Sequence, residues 1–432
     1  MMPQSTFLVL AEVIPEREQS LRDLLATMNV EPGMADPANA LVPFERFEQL
    51  HVARFTFLQP PAEGDIEVYG LRPTPWPLTL AFLGDCDGPA ETFLAELVRE
   101  AGPGLCRIFS CCRGFAPDGD ILAWLCAREQ PSAATYVNWI GRTVVQIREE
   151  AALRKALVEY VDQSRRIEPV DAATLRNRIL TFVAAERRAG RLTLTPPPTT
   201  PLDWRLRNAV HAVGVPVILL VLAPFLLVAS PVLIFMLRSR ETSDPELAPP
   251  PDPAHVRQLE DLEDHDVTNQ FSAMGDIKPG RFRRWLVVFL LWLLDYASRH
   301  IFRRGYLTRV QTIHFARWVF LDDRRRLFFA SNYDGSLESY MDDFINKVAW
   351  GINLVFGNGI GFPRVSWLIK GGARFEGKYK RYLRRHQIPT AVWYKAYPDL
   401  SVVDLNRNSQ IRLGLERQMA SEREVREWLS LL

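Results

Sequence analysis

The sequence predicts an α+β protein whose two halves are copies of one β-α-β-β-α-β unit, with a strongly apolar segment inserted between them. Three observations carry that expectation. The apolar runs of the first 150 residues fall in the order strand, helix, strand, strand, helix, strand; the same short words return in the same order beyond residue 267; and residues 209–237 contain no Asp, Glu, Lys or Arg.

In the first half, Phe7 to Ile14 is a short apolar run that suits a strand. Pro15 and Glu16 then open a helix in which Leu21, Leu24, Leu25 and Met28 recur at helical spacing. Leu50 to Leu58 (LHVARFTFL) and Leu78 to Asp85 (LTLAFLGD) read as two more strands, and Asp87-Gly88 starts a helix carrying Phe93, Leu94, Leu97 and Val98. After a loop rich in Gly and Pro, Ala134 to Ile147 supplies the last strand and its exit. In the second half, Leu50-His51-Val52-Ala53-Arg54 returns as Ile313-His314-Phe315-Ala316-Arg317, and Asp87-Gly88 with Glu91 returns as Asp334-Gly335 with Glu338. Ile14 and His51 answer to Ile277 and His314 at one offset. Leu80, Phe82, Asp87, Phe109 and Phe115 answer to Leu327, Phe329, Asp334, Phe356 and Phe362 at a second, and Pro131, Tyr136 and Val145 to Pro389, Tyr394 and Val403 at a third. Register held over that length points to a duplication. The expected divisions are a first unit at 1–160, a helical and Pro-rich linker at 161–266 carrying 209–237, a second unit at 267–415, and a C-terminal amphipathic helix at 416–432.

Composition narrows the function classes. The chain has 432 residues, 47% hydrophobic and 24% charged, which is enough for more than one core. A net charge of +1 supplies no long-range field to gather nucleic acid, so no nucleic-acid partner is expected. Five cysteines (Cys86, Cys106, Cys111, Cys112 and Cys126), odd in number and without Cys-x-x-Cys spacing, suggest neither a disulfide framework nor a zinc site. A reducing compartment is the simplest expectation. The N-terminus lacks a basic stretch before its apolar run, so export is not expected. No P-loop, His-Glu-x-x-His or Gly-x-Ser-x-Gly motif is present.

The insert exceeds the roughly 20 apolar residues that a spanning helix needs. Two halves that close on each other must lie on one side of a bilayer, so we expect a re-entrant or in-plane hairpin, bent near Pro224 where Pro216 and Pro231 also interrupt the run. Arg205 and Arg207 before the segment and Arg238 and Arg240 after it favour the cytoplasmic face, with membrane lipid as a partner. Trp285 to Leu294 is apolar all round and needs a second apolar neighbour besides its sheet, with Arg281, Arg283, Arg284, Arg303 and Arg304 placed to reach headgroups. TPPPTTP (Thr195 to Pro201) and LAPPPDP (Leu247 to Pro253) read as stiff spacers, and Gln258 to Asp266 as a solvated acidic stretch.

Few residues suggest chemistry. His51 and His314 each precede an arginine, Arg54 or Arg317, by three positions, which on a regular strand puts ring and guanidinium on opposite faces. The histidines are candidates for proton transfer or metal ligation, weighed against a hydrogen bond to a neighbouring loop; the arginines are candidates for holding a carboxylate, weighed against a structural ion pair. Asp87 and Asp334 stand where a helix begins, so capping competes with catalysis. Between Lys370 and Arg385, cations interleave with Phe375, Tyr379 and Tyr382. Lys370, Arg374, Lys378, Arg381 and Arg384 are therefore candidate contacts for a ligand or lipid, against a solvated helix face.

A β-α-β-β-α-β unit is ferredoxin-like; its helices cover one face of its sheet and leave the other in need of a partner, which a tandem copy can provide. Over residues 5–155 and 267–415 the chain resembles the dimeric α+β barrel superfamily in fused, two-repeat form, the architecture of dye-decolourising peroxidases. The resemblance implies an intrachain α+β barrel. Gly84-Asp85-Cys86-Asp87-Gly88 matches that family's Gly-x-x-Asp-Gly signature, in which the Asp lies on the distal side of a haem; the second copy reads Ser331-Asn332-Tyr333-Asp334-Gly335 and departs from it. Haem and a peroxidase-like oxidoreductase are thus implied as an alternative, with His314 or His386 left to ligate the iron and no other metal expected. The reading that the residues themselves favour is a membrane-associated protein binding a small apolar or amphipathic ligand. No reaction is specified by the sequence.

Overall fold

Alternating apolar residues build eight principal strands in the computed structural model, which describes residues 2–59, 63–167, 170–302, 307, 309–419 and 421–432. They are β1 (Gln4–Glu12), β2 (Leu50–Leu58), β3 (Thr79–Asp87), β4 (Ala134–Val137), β5 (Thr268–Asp276), β6 (Ile313–Leu321), β7 (Arg326–Asp334) and β8 (Thr390–Lys395). One sheet runs β1-β3-β2-β8 and continues into two short strands, Gly33–Ala35 and Asn29–Glu31; the other runs β4-β6-β7-β5. The final strand of each half has therefore crossed over. β8 pairs antiparallel with β2, and β4 antiparallel with β6.

The two sheets run in corresponding register. Leu50 faces Cys86 and Val52 faces Asp85, leaving His51 as a bulge; Ile313 faces Tyr333 and Phe315 faces Asn332, leaving His314 as a bulge. Beyond the first strands, Val13 bridges to Cys112 and Ile277 to Gly359. Ile277 thus corresponds to Val13, one residue from the Ile14 that side-chain identity suggests, because the ladder and not the side chain sets register.

Side chains that alternate along each strand face two different layers. On the outer face of the first sheet, Val9, Phe55 and Phe82 pack on α1 (Glu18–Ala26) and α2 (Ala90–Phe109). α3 (Val144–Ile167) follows β4, where the sequence suggested continued strand, and packs with α4 (Ala172–Arg188) around Leu153, Leu157 and Ile179. α5 (Leu202–Ser243) is the apolar insert. On the outer face of the second sheet, Phe271, Trp318 and Phe329 meet α6 (Arg281–His300), α7 (Leu337–Lys347), α8 (Ala349–Phe356) and α9 (Glu376–His386). α10 (Val402–Glu416) joins α3 and α4 through Ile411. Between the sheets, Leu8, Ala81 and Leu83 meet Met274, Val319, Phe328 and Ala330. Each fully buried Leu, Val or Phe contributes roughly 1.5–3 kcal/mol.

The architecture is mixed α+β, but among the described residues the sheets do not join into the closed barrel the resemblance implied. At one seam, beside β1, the Gln4 side chain ties the edge to the turn after β4: its Nε2 donates to Arg142 O at 2.7 Å, and Gly141 N donates to its Oε1 at 2.8 Å. At the other, Lys395 Nζ donates to Thr268 O at 3.0 Å. Elsewhere along these seams the backbone meets at isolated bridges, Val9 with Glu129 and Ala273 with Gln387, where a closed barrel would carry a continuous ladder.

The expected hairpin in the insert is also corrected. α5 is one continuous helix of 42 residues that runs through Pro216, Pro224 and Pro231. Its two ends are held at opposite ends of α6, which a hairpin bent near Pro224 would not reach. Near its start, His211 Nδ1 lies 2.9 Å from His300 Nε2, and Tyr296 Oη donates to Ala212 O at 3.2 Å. Just past its last turn, Asp244 Oδ2 accepts from Lys278 Nζ and Arg283 Nη2, each at 2.8 Å. By length and composition α5 could cross a membrane, and no residue of its most apolar stretch is buried.

Candidate functional site

The bulges at β2 and β6 decide where the two histidines point. A regular strand would separate His51 from Arg54, but the extra residue turns the His51 ring toward the other sheet, 5.3 Å from the Phe315 ring, on the side to which Arg54 also reaches. His51 Nδ1 lies 2.9 Å from Tyr397 Oη and its Nε2 lies 3.1 Å from Asp87 Oδ1. His314 Nε2 lies 2.6 Å from Asp334 Oδ1 and 3.3 Å from Thr268 Oγ1. Burial holds the Tyr397 hydroxyl well above the ordinary tyrosine range, so it stays protonated.

Asp87 and Asp334 are caps, though not of the helices that directly follow them. The second oxygen of Asp87 accepts from Val144 N, the first residue of α3, at 2.9 Å; that of Asp334 accepts from Val402 N, the first residue of α10, at 2.6 Å. α2 has Pro89 at its N-cap position and no side-chain cap, and α7 is capped by Ser336. Gly88 and Gly335, both at φ +79°, turn the chain sharply after each aspartate and free its carboxylate for the later helix.

Arg54 and Arg317 make matched contacts across the space between the sheets. Arg54 donates to Phe271 O at 2.9 Å, Ser272 Oγ at 3.0 Å and Ser331 O at 2.9 Å, and also to Asn332 Oδ1. Arg317 donates to Phe7 O at 2.7 Å, Gly84 O at 3.0 Å and Asp85 Oδ2 at 2.5 Å. Asn332 corresponds to Asp85, so one carboxylate serves two guanidiniums. Burial, and next the nearby Arg317 cation, push Arg54 down to about 9, which leaves it charged at neutral pH. Burial also raises the Asp85 carboxyl, against the pull of Arg317 and Arg54.

A porphyrin does not fit these residues. His51, Arg54, His314 and Arg317 are each 3% exposed or less, each is hydrogen-bonded within the fold, and apolar side chains fill the space between the sheets. His386 fares no better: its Nδ1 donates to Tyr382 O at 2.9 Å, burial pushes its imidazole down to about 4, and it lines a cavity of only about 40 Å³.

The basic stretch is largely paired. Lys378 contacts Glu246, Arg384 contacts Glu263, and Arg381 donates to Ala248 O at 3.3 Å. Arg385 contacts Asp65, and Lys380 contacts Glu338 at 2.6 Å. Lys370 and Arg374, by contrast, stand exposed on a short hairpin and the turn after it, with no ionic partner among the described residues. Arg303 and Arg304 lie outside the described residues.

A cavity that sequence reasoning missed lies between α6 and α8. It measures about 230 Å³ and is lined by Leu290, Leu294, Trp318, Phe344, Trp350 and Val355 among others, with no charged side chain. An apolar cavity of about 150 Å³ stays dry and holds benzene, so this one admits a somewhat larger apolar molecule. Its signal in the sequence was the all-round apolar run Trp285 to Leu294. A more polar groove of about 870 Å³ follows the open seam beside Gln4, Thr135 and Asn138 and reaches Trp204 and Arg207 at the start of α5.

Fold and cavities thus define a mixed α+β protein with one long, exposed apolar helix. Comparison with family models, curated proteins and solved structures finds no match.

Proposed function

We propose that this is a monotopic membrane protein that takes up a small apolar ligand, such as a short alkyl chain, into the cavity between α6 and α8. The observation that carries the reading is the double role of α6, which lines the apolar cavity with Leu290, Leu293, Leu294 and Ala297 and also carries the exposed apolar helix α5. A ligand dissolved among lipid chains then needs to cross little water. The ladder register supports two ferredoxin-like copies as the body, and the exchange of β4 and β8 ties them together.

On this reading α5 lies along the membrane surface. Its 42 residues extend ~63 Å, about twice the ~30 Å hydrocarbon layer, and both its ends return to one folded body. An upright crossing would draw that body into the bilayer. Arg205, Arg207, Arg238 and Arg240 at its two ends favour the cytoplasmic face.

The test uses the full-length chain, phosphatidylcholine vesicles and decanoic acid. The protein is expected to float with vesicles without detergent and to bind decanoic acid with micromolar affinity. Ala297→Trp, which fills the cavity, is expected to abolish binding while flotation persists. Equal binding by Ala297→Trp, or a protein that stays in solution beside vesicles, would overturn the reading.

A further inference from the structure

Two large apolar side chains occupy a backbone conformation that suits Asn and Gly. Val365–Ser366 and Lys370–Gly371 form a hairpin, and at its tip Trp367 and Leu368 lie at φ +56° and +61°. Left-handed backbone is unfavourable for residues with a Cβ and worst for bulky ones, so the surroundings must impose it. They do so from two sides. Glu241, in the last turn of α5 and 2% exposed, accepts from Trp367 N at 2.9 Å and from Leu368 N at 2.8 Å. Asn353 of α8, fully buried, donates to Ile369 O at 3.0 Å and Gly371 O at 2.9 Å and accepts from Ala373 N at 2.8 Å.

The strained tip packs nothing into the core. Trp367 is 49% exposed, and Ile369 and Phe375 stand similarly open beside it. Arg238 of α5 lies over the Trp367 ring at 4.9 Å. Lys370 and Arg374, exposed cations with no ionic partner among the described residues, flank these exposed apolar side chains. Trp with Lys or Arg is the side-chain mixture that settles at a bilayer's headgroup layer, the ring at the apolar boundary and the cations at the phosphates. The hairpin is tied directly to the C-terminal end of α5 through Glu241.

We propose that the 365–371 hairpin is an interfacial anchor that sets Trp367, Leu368 and Ile369 into the headgroup layer of an anionic phospholipid bilayer while Lys370 and Arg374 contact lipid phosphates. The inference rests on the membrane reading of α5 and adds to it a lipid class and the residues that select it. Glu241 is then a positioning residue, aiming the tip from the end of the helix that lies on the same surface.

The test compares the full-length protein with Trp367→Asn/Leu368→Gly and with Lys370→Gln/Arg374→Gln, on vesicles of phosphatidylcholine alone and with one third phosphatidylserine. Asn-Gly suits the backbone of the tip, so the first variant is expected to fold at least as well as the parent, as thermal unfolding will read. The parent is expected to prefer the phosphatidylserine vesicles on the order of tenfold at low salt and to lose the preference in high salt. Each variant should lose most of that preference yet still float with phosphatidylcholine through α5, and quenching of tryptophan by brominated lipid should fall in the first. Full preference in either variant, or a preference lost only because the tip binds a second protein, overturns the anchor. A parent that binds no vesicle at all refutes the membrane reading itself, whereas binding without lipid preference refutes the anchor alone.

Discussion

Arg317 is expected to be among the most costly side chains to remove, because its loss strands a charge. Arg317→Met leaves the Asp85 carboxylate, 3% exposed, without the guanidinium that pairs with it directly. Two unit charges about 4 Å apart at an effective dielectric of about 20 attract by about 4 kcal/mol. Breaking a buried pair from one side costs about 3–5 kcal/mol, since the remaining ion keeps its desolvation penalty. Removing both charges is a different matter. Arg317→Met with Asp85→Asn removes both ions of the pair, at the cost of the carboxylate that Arg54 shares, so the double variant should lose about 1–3 kcal/mol less than the two single variants summed. The assay is urea unfolding in mild detergent, followed by tryptophan fluorescence, to which Trp318 of β6 and Trp393 of β8 contribute. A coupling within about 0.5 kcal/mol of zero would refute the reasoning and assign the cost of Arg317→Met to its carbonyl contacts with Phe7 and Gly84.

Two further outcomes are expected. Because burial holds the folded His386 imidazole at about 4, below its unfolded value of about 6.5, the unfolded chain takes up the proton first as pH falls. Stability is thus fully present above about pH 6.5 and declines by about 3 kcal/mol down to pH 4; His386→Gln should flatten that slope, and an unchanged slope assigns it elsewhere. Cleavage at a protease site placed in the Pro-rich linker 247–253 should leave two fragments that co-migrate under native conditions, since each holds a strand from the other; fragments that part without denaturant contradict the strand exchange.

Local patterns were readable in the sequence where one element decides them. The strands around Phe7, Phe55 and Phe82 and the helix through Leu94 and Leu97 lie where period and turn residues put them. What escaped was set by partners distant along the chain. The bulge at His51 is a single inserted residue, invisible to alternation, and it reverses the face of the ring. The helix that Asp87 caps begins at Val144, beyond the reach of any local capping rule. Glu263, in a stretch that reads as solvated, is buried against Arg384 and Gln387, so neither the acidic linker nor the basic helix is as free as its composition suggests. The course of α5 depended on contacts with α6 that only the tertiary structure supplies.

Corresponding and non-corresponding features of the two halves divide along functional lines. The histidines and arginines that appear in both halves are buried, and with the half-buried Asp87 and Asp334 they are hydrogen-bonded and occupied in joining the sheets and capping helices. They answer a need that both halves share. The features of one half alone are different in kind. α1 of the first half is a short amphipathic helix of 9 residues, whereas its counterpart α6 has 20 residues and needs apolar company on two sides. Sheet and α5 provide that company, which couples the insert to the composition of α6. The cavity lies against α6, and the strained tip is held by the end of α5. Site-directed work is therefore better spent on Ala297, Trp367 and Lys370 than on the repeated His51, His314, Arg54 and Arg317, whose replacement would report on folding first.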